Sequence, residues 1–140
     1  MNTPDIHVAT TEDAGAVVAL WQSCALTRPW NDPGEDFYRA VVGSASDVLV
    51  VRDQAMIVGS VMVGEDGHRG WVYYLAVCPT QRRTGLGRAL MDAAERWMRL
   101  RGVPKLQLMV RDGNDETQAF YRALGLEQQA VVTMGKFLKG

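Results

Sequence analysis

The order of apolar periods along the chain predicts a mixed α/β fold. It is a twisted sheet with antiparallel hairpins in its first half, a parallel pair in its second, and helices on both faces. Three observations predict it. The run "SDVLVVRDQAMIVGSVMVGE" is two β-rich stretches around a turn near Asp53-Gln54, the pattern of an antiparallel hairpin. The strand-like "WVYYLAV", a long amphipathic stretch and "KLQLMV" then follow one another. Two strands joined through a helix in this way run parallel, with a right-handed crossover. No linker, repeat or low-complexity segment interrupts the 140 residues, so a single domain is expected over 1–140.

Each element has its own local cause. "IHVAT" is a short strand. "TTEDAGAVVALWQSCAL" is a helix, with Thr10 or Thr11 accepting from the first free amides and Glu12 and Asp13 suiting the positive helix start. Ala14, Val17, Val18 and Trp21 form its apolar stripe. Two prolines make Thr27 to Asp36 a loop, and a weaker helix follows in "EDFYRAVVGS". After the hairpin, "DGHRG" turns the chain into "WVYYLAV", which Pro79 ends. Leu86, Leu90, Ala93, Trp97 and Leu100 recur every three or four residues, so one face of the longest helix packs on a sheet. Gly102 and Pro104 stop it. "NDETQAFYRALG" is a short helix closed by Gly125, and "LEQQAVVTMGKFL" is expected as one or two closing strands.

Composition narrows the function. Apolar residues make up 47% of the chain, enough for one hydrophobic core. The net charge of -1 argues against a nucleic-acid or membrane-surface binder, because both usually carry a basic excess. Cys24 and Cys78 are far apart and in no metal-ligand spacing, so they read as small buried hydrophobes in a reducing compartment, with no metal site. The chain shows no signal-like or membrane-spanning apolar run, and a cytoplasmic protein is expected.

The chemistry concentrates in "RRTGLGRALMDAAE", Arg82 to Glu95. Backbone amides at a helix start converge on one spot, and the helix dipole adds about half a positive charge there. Gly85 and Gly87 allow close approach, and Arg82, Arg83 and Arg88 add full charge. A pyrophosphate suits such a place. The nucleoside-triphosphate loop needs a Lys-Ser or Lys-Thr pair after its glycines, and there is none. The dinucleotide fingerprint needs a third glycine, where this run has Leu90. Arg-x-x-Gly-x-Gly remains, which alone is also compatible with a plain strand-to-helix turn.

The neighbours of that loop add to it. "YYLAV", Pro79, Arg82-x-x-Gly85-x-Gly87, an amphipathic helix, Gly102, a strand, Asn114, Tyr121 and "ALGL" follow in order. This succession resembles the GNAT superfamily of N-acetyltransferases, clearly from about Val72 to Leu126 and in element order before that. With "RPWNDP" and "DGHRG" included, the chain is similar to the small YpeA-type acetyltransferases.

The resemblance implies acetyl-CoA as co-substrate. Its diphosphate would lie on the amides of Arg82, Arg83, Thr84, Gly85, Leu86, Gly87 and Arg88. Its pantetheine arm would lie in the splay between "YYLAV" and "KLQLMV", along the backbone of Leu75, Ala76 and Val77. Acetyl would pass directly to an amine of a small molecule or a protein. The attacking amine must be neutral, so a base or a water chain has to take a proton. Amides near Ala76 or Val77 could stabilise the oxyanion. Tyr121 matches the family tyrosine that protonates the leaving sulfur; read alone, it is equally a core residue beside Phe120 and Leu124. Asn114 is a helix cap, a ligand to the pantetheine arm, or both.

The resemblance supplies no carboxylate base. The strand position five residues before Asn114, a glutamate in some relatives, is Met109, and "WVYYLAV" has no acid. Candidates fall to Asp66, His68 and Asp32 in loops, or to water past Tyr73 or Tyr74. On the acceptor side, Arg28 suits a carboxylate and Asp32 or Asp66 suits an amine. Trp30 either recognises a ligand or anchors its loop. A CoA-binding module without chemistry is the alternative to an enzyme, and a monomer or a homodimer would serve either.

Overall fold

The computed structural model describes residues 4–139. Residues up to Met109 form one compact unit, and residues from Val110 onward form another. The first unit carries the sheet. Its strands are β1 (Ile6–Val8), β2 (Ser46–Asp53), β3 (Met56–Glu65), β4 (Gly70–Val77) and β5 (Leu106–Leu108). They lie side by side in sequence order, β1-β2-β3-β4-β5. The first four pair antiparallel, and β4 pairs parallel with β5. The mixed α/β class and the parallel pair expected across the long helix are therefore present.

Helices cover both faces. On one lie α1 (Ala14–Ser23) and α2 (Pro33–Val42). Val17, Leu20, Trp21, Phe37 and Ala40 from these helices are buried against Val48 and Val50 of β2 and Ala76 of β4. Period-2 alternation sends β2's other residues, Leu49 and Val51, to the opposite face. There α3 (Leu86–Leu100) packs its buried Leu86, Leu90, Ala93, Ala94 and Met98. Glycines let it sit close. A Cβ on Gly59 would lie 3.0 Å from Leu90 Cδ1, and one on Gly70 would collide with Met98 Sδ.

Several sequence expectations shift. The predicted loop Thr27 to Asp36 is shorter, because Asp32 caps α2 and Pro33 opens it. The Asp32 carboxylate accepts from the Glu35 amide at 3.1 Å, and proline suits a first turn that needs no N–H. The first helix begins as a 3-10 turn, Thr11–Asp13, before α1. The apolar stripe of α3 stops short of Leu100, which is 83% exposed. Trp97 ends half-buried, its indole N–H donating to Asp47 at 2.9 Å, with the Arg101 guanidinium 4.0 Å from the ring centroid. Cys24 and Cys78 are half-buried rather than buried, and both are free thiols.

The second unit contains α4 (Asp115–Ala123). The closing strands expected in "LEQQAVVTMGKFL" are absent: among the described residues, 126–139 form no strand, and Val131, Val132, Met134, Phe137 and Leu138 are exposed. A β-rich composition forms a strand only where an edge pairs with it, so the periodicity of this segment did not decide its conformation. Among the described residues, no helix is long and apolar enough to cross a membrane.

Candidate active site

The start of α3 has the features of an anion site. Gly85 is its cap, at φ +83° and ψ 7°, a left-handed conformation that glycine adopts without strain. Arg83 is left-handed too, at φ +66°. The first backbone bond into the helix runs from the Ala89 amide to the Gly85 carbonyl at 3.0 Å. The amides of Leu86, Gly87 and Arg88 therefore precede any carbonyl one turn back. In α2 and α4, side chains of Asp32 and Asn114 accept from such amides. In α3 no side chain caps them, and no acid stands in the first turn.

The surrounding side chains leave that start open. The Thr84 hydroxyl turns back to the Gln81 carbonyl at 2.6 Å, and Arg82 Nε donates to the Val77 carbonyl at 3.3 Å. This last bond ties the loop to the end of β4. Arg82, Arg83, Thr84, Gly85 and Arg88 are exposed, whereas Leu86 is buried beneath them. The Cys78 thiol, just before the loop, is held below its ordinary pKa by hydrogen bonding to Thr80 and by the charge of Arg82.

The edge of β4 opens toward this loop. Its pairing with β5 covers Gly70↔Leu106, Trp71↔Gln107 and Val72↔Leu108, and ends there. From Tyr73 to Val77 that side of β4 has no β5 partner in the described residues. On its other side, β4 carries a bulge. Ser60 pairs with Ala76 and Met62 with Tyr73, so Tyr74 and Leu75 face the single residue Val61.

Tyr74 makes the bulge and is strained by it, with φ at +52°. A left-handed aromatic residue costs about 1–3 kcal/mol. Its side chain offsets that cost. The ring stacks on Trp21 at 3.9 Å between centroids and 8° between planes. Such pairs contribute about 0.5–1.5 kcal/mol beyond burial. The phenol donates to Asp36 Oδ2 at 2.7 Å. Hydrogen bonds to a charged group contribute about 1.5–3 kcal/mol. Trp21 is fixed in turn by its indole N–H, which donates to Ser60 Oγ at 2.9 Å. Burial and then the neighbouring Asp36 carboxylate push the Tyr74 phenol well above its ordinary pKa, so it keeps its proton.

The other expected site residues fall in three places. Asp66 and His68 lie exposed in the β3–β4 turn. The Asp66 carboxylate accepts from the amides of Arg69 and His68, which hold it below its ordinary pKa and commit it to the turn. Arg28 donates to the carbonyls of Ala25 and Thr27, both at 2.9 Å, bracing its own loop. Trp30 is 55% exposed, and Asp32 is exposed at the α2 cap. Asn114 and Tyr121 belong to the second unit. Asn114 caps α4 by accepting from the Thr117 amide at 3.2 Å. Tyr121 stands on the same helix, edge-on to Phe120, and burial pushes its phenol up to about 12.

The structure thus joins the loop residues Arg82 to Arg88 to the open edge at Leu75, Ala76 and Val77, and adds one group the sequence reading missed, Asp36. Its signal was faint: an acid one turn after the Asp32 cap, facing a tyrosine far along the chain. Among the described residues, no cluster of acids, histidines or cysteines could hold a metal.

Known proteins share this arrangement of elements. The model of the Acetyltransferase (GNAT) family matches residues 16–126. Acetyltransferase ECA0875 of Pectobacterium atrosepticum is 42% identical over 134 residues, which span 96% of this chain and 95% of that one. Among solved structures, AAC(6')-Iy in complex with a bisubstrate analog, CoA-S-monomethyl-acetylneamine, matches with a TM-score of 0.82 at 16% identity, covering 97% of this chain and 99% of that one. Ribosomal-protein-alanine N-acetyltransferase from Brucella melitensis matches with a TM-score of 0.77 at 22% identity, covering 95% and 99%. At such identities these two structures speak for the fold.

Proposed function

The chain belongs to the GNAT family of acetyltransferases, and from that premise we propose that it moves an acetyl group from acetyl-CoA directly to a primary amine of a small molecule or protein. One observation carries the reading: the uncapped, arginine-flanked start of α3 follows directly on a strand whose edge is open from Tyr73 to Val77. The residues fit the group. The amides of Leu86, Gly87 and Arg88, with Arg82 and Arg83 beside them, suit the diphosphate of CoA. The backbone of Leu75, Ala76 and Val77 suits the amide-bearing arm, which would pair like an added strand. Bound there, acetyl-CoA supplies an activated thioester.

Within this reading Tyr121 is the acid for the departing sulfur. Its phenol carries its proton at neutral pH, as any tyrosine does and as a proton donor must. Arg28, Trp30, Asp32, His68 and Tyr74 are the acceptor-side candidates. The two matched structures are named for acetylneamine, in a bisubstrate analog, and for the alanine of a ribosomal protein, and these suggest acceptor chemistries to try. We read the chain as cytoplasmic, a compartment that supplies acetyl-CoA.

The test is a thiol-release assay with acetyl-CoA. The panel is an aminoglycoside, a peptide with N-terminal alanine, a lysine peptide and a polyamine. Turnover is expected with at least one acceptor. Tyr121→Phe should lower kcat about 100-fold, the scale of one acid–base contribution, and leave acetyl-CoA affinity unchanged. Tight binding of acetyl-CoA without thiol release from any probe would instead identify a CoA-binding module.

A further inference from the structure

We propose that the Asp36 carboxylate, acting through the Tyr74 phenol, takes up the proton that the acceptor amine releases during acetyl transfer. This rests on the acetyl-transfer reading above and supplies the base that β4 itself lacks.

The other acids near the site are engaged elsewhere. Asp66 is committed to the amides of its turn, and Asp32 to the first turn of α2. Asp36 is different: its Oδ2 accepts from a side chain, the Tyr74 hydroxyl, at 2.7 Å. Tyr74 is also the bulge residue directly before Leu75, Ala76 and Val77, the backbone assigned above to the thioester arm. Trp21 holds the ring from one side, so the hydroxyl has a fixed position. Tyr74 and Asp36 are both only half-buried, so the pair is not sealed from solvent, and in this proposal the acceptor meets the phenol from that exposed side.

A phenol that donates its proton can accept another on its oxygen. The step balances as follows. The neutral amine nitrogen forms a bond to the acetyl carbon, and the carbon–sulfur bond breaks. The proton leaving nitrogen passes to Tyr74 Oη as the phenolic proton passes to Asp36 Oδ2. The thiolate departs and gains a proton of its own, and Asp36 later returns its proton to solvent. Tyr74 touches the acceptor and is the catalytic residue. Asp36 acts through it and is a positioning residue that also stores the proton.

Asp36→Asn separates the two roles. The carboxamide oxygen still accepts from Tyr74, but it cannot take up a proton at neutral pH. With the best acceptor of the panel, Asp36→Asn is expected to lower kcat about 100-fold. The acetyl-CoA Kd, read by calorimetry, should stay within twofold of wild type, and Asp36→Glu should recover part of the rate. Tyr74→Phe should lose about as much, and the double variant no more than either single one, because the two groups act as a unit. A second readout needs no turnover: with 3-fluorotyrosine at position 74, the 19F signal should move when Asp36 becomes Asn.

A kcat within threefold of wild type in Asp36→Asn would overturn the proposal and leave Asp36 as a mere prop. An unmoved 19F signal would also overturn it, because the pair would not exist in solution. Wild-type protein that releases no thiol with any probe would overturn the acetyl-transfer reading, and this assignment with it.

Discussion

Gly85→Glu is expected to weaken acetyl-CoA binding about 1,000-fold while leaving the chain folded. Two effects act together. Position 85 sits at φ +83°, where any side chain is strained, although a Cβ there meets no atom within 4 Å. The strain is local and costs about 1 kcal/mol. The larger effect is charge. A carboxylate about 4 Å from a phosphate oxygen, at the effective dielectric of a protein surface, is repelled by about 4 kcal/mol, close to three decades of affinity. The same carboxylate suits the positive start of α3, so the helix itself is not weakened. Calorimetry of acetyl-CoA against wild type and variant reads the effect, with Gly85→Ala as the control for strain alone. Equal affinity in Gly85→Glu would remove the diphosphate from this loop. Absence of binding by the wild type would remove acetyl-CoA from the protein.

Trp21→Ala is expected to cost about 3–5 kcal/mol of folding stability, the range for deleting a fully buried aromatic ring. That is a large share of the 5–15 kcal/mol by which domains are usually stable. Trp21 is fully buried between α1 and the sheet. It meets Phe37 edge-on and stacks on Tyr74, and its N–H satisfies the buried Ser60 hydroxyl. Alanine would leave a cavity, remove the donor that Ser60 Oγ accepts while leaving its own bond to the Tyr74 carbonyl, and free the ring that offsets the strain at Tyr74. Urea unfolding should show a lower midpoint with a similar slope. Trp21→Phe should recover part of the loss, because it restores the stack but not the hydrogen bond. A shift below 1 kcal/mol in Trp21→Ala would mean that the bulge does not depend on this ring.

Much of this was legible before any coordinates. Continuous apolar runs in "DVLVV" and "IVGSVMV" mark β2 and β3, which are buried on both faces, and the three-to-four spacing of Leu86, Leu90 and Ala93 marks α3, which buries one. The glycine loop was legible as a turn that opens a helix, since few residue types suit the left-handed conformation at Gly85. Less was legible where long-range contacts decide. The bulge at Tyr74 follows from a register shift between two strands, which no local pattern encodes. Asp36 is an ordinary surface acid until α2 brings it to Tyr74, 38 positions away. Leu100 fits the apolar period of α3, yet it is 83% exposed, and the last buried residue of the helix is Met98. The strand expected after Leu126 failed for a related reason: strand propensity describes a fit to a neighbour, and the neighbour is not in the sequence window.

The brevity of the β4–β5 seam carries a further consequence. Only three residue pairs join these strands, and beyond Val72 the backbone of β4 has polar groups with no protein partner from β5. On the proposed reading, a pantetheine arm pairing with Leu75, Ala76 and Val77 would extend this short ladder. Folding and nourishment are then thermodynamically linked. At 100 times its Kd, a ligand that binds only the native state adds about 2.7 kcal/mol of stability. On the proposed acetyl-CoA reading, the protein should therefore resist heat and proteolysis best when that metabolite is plentiful, and its abundance in the cell should follow it.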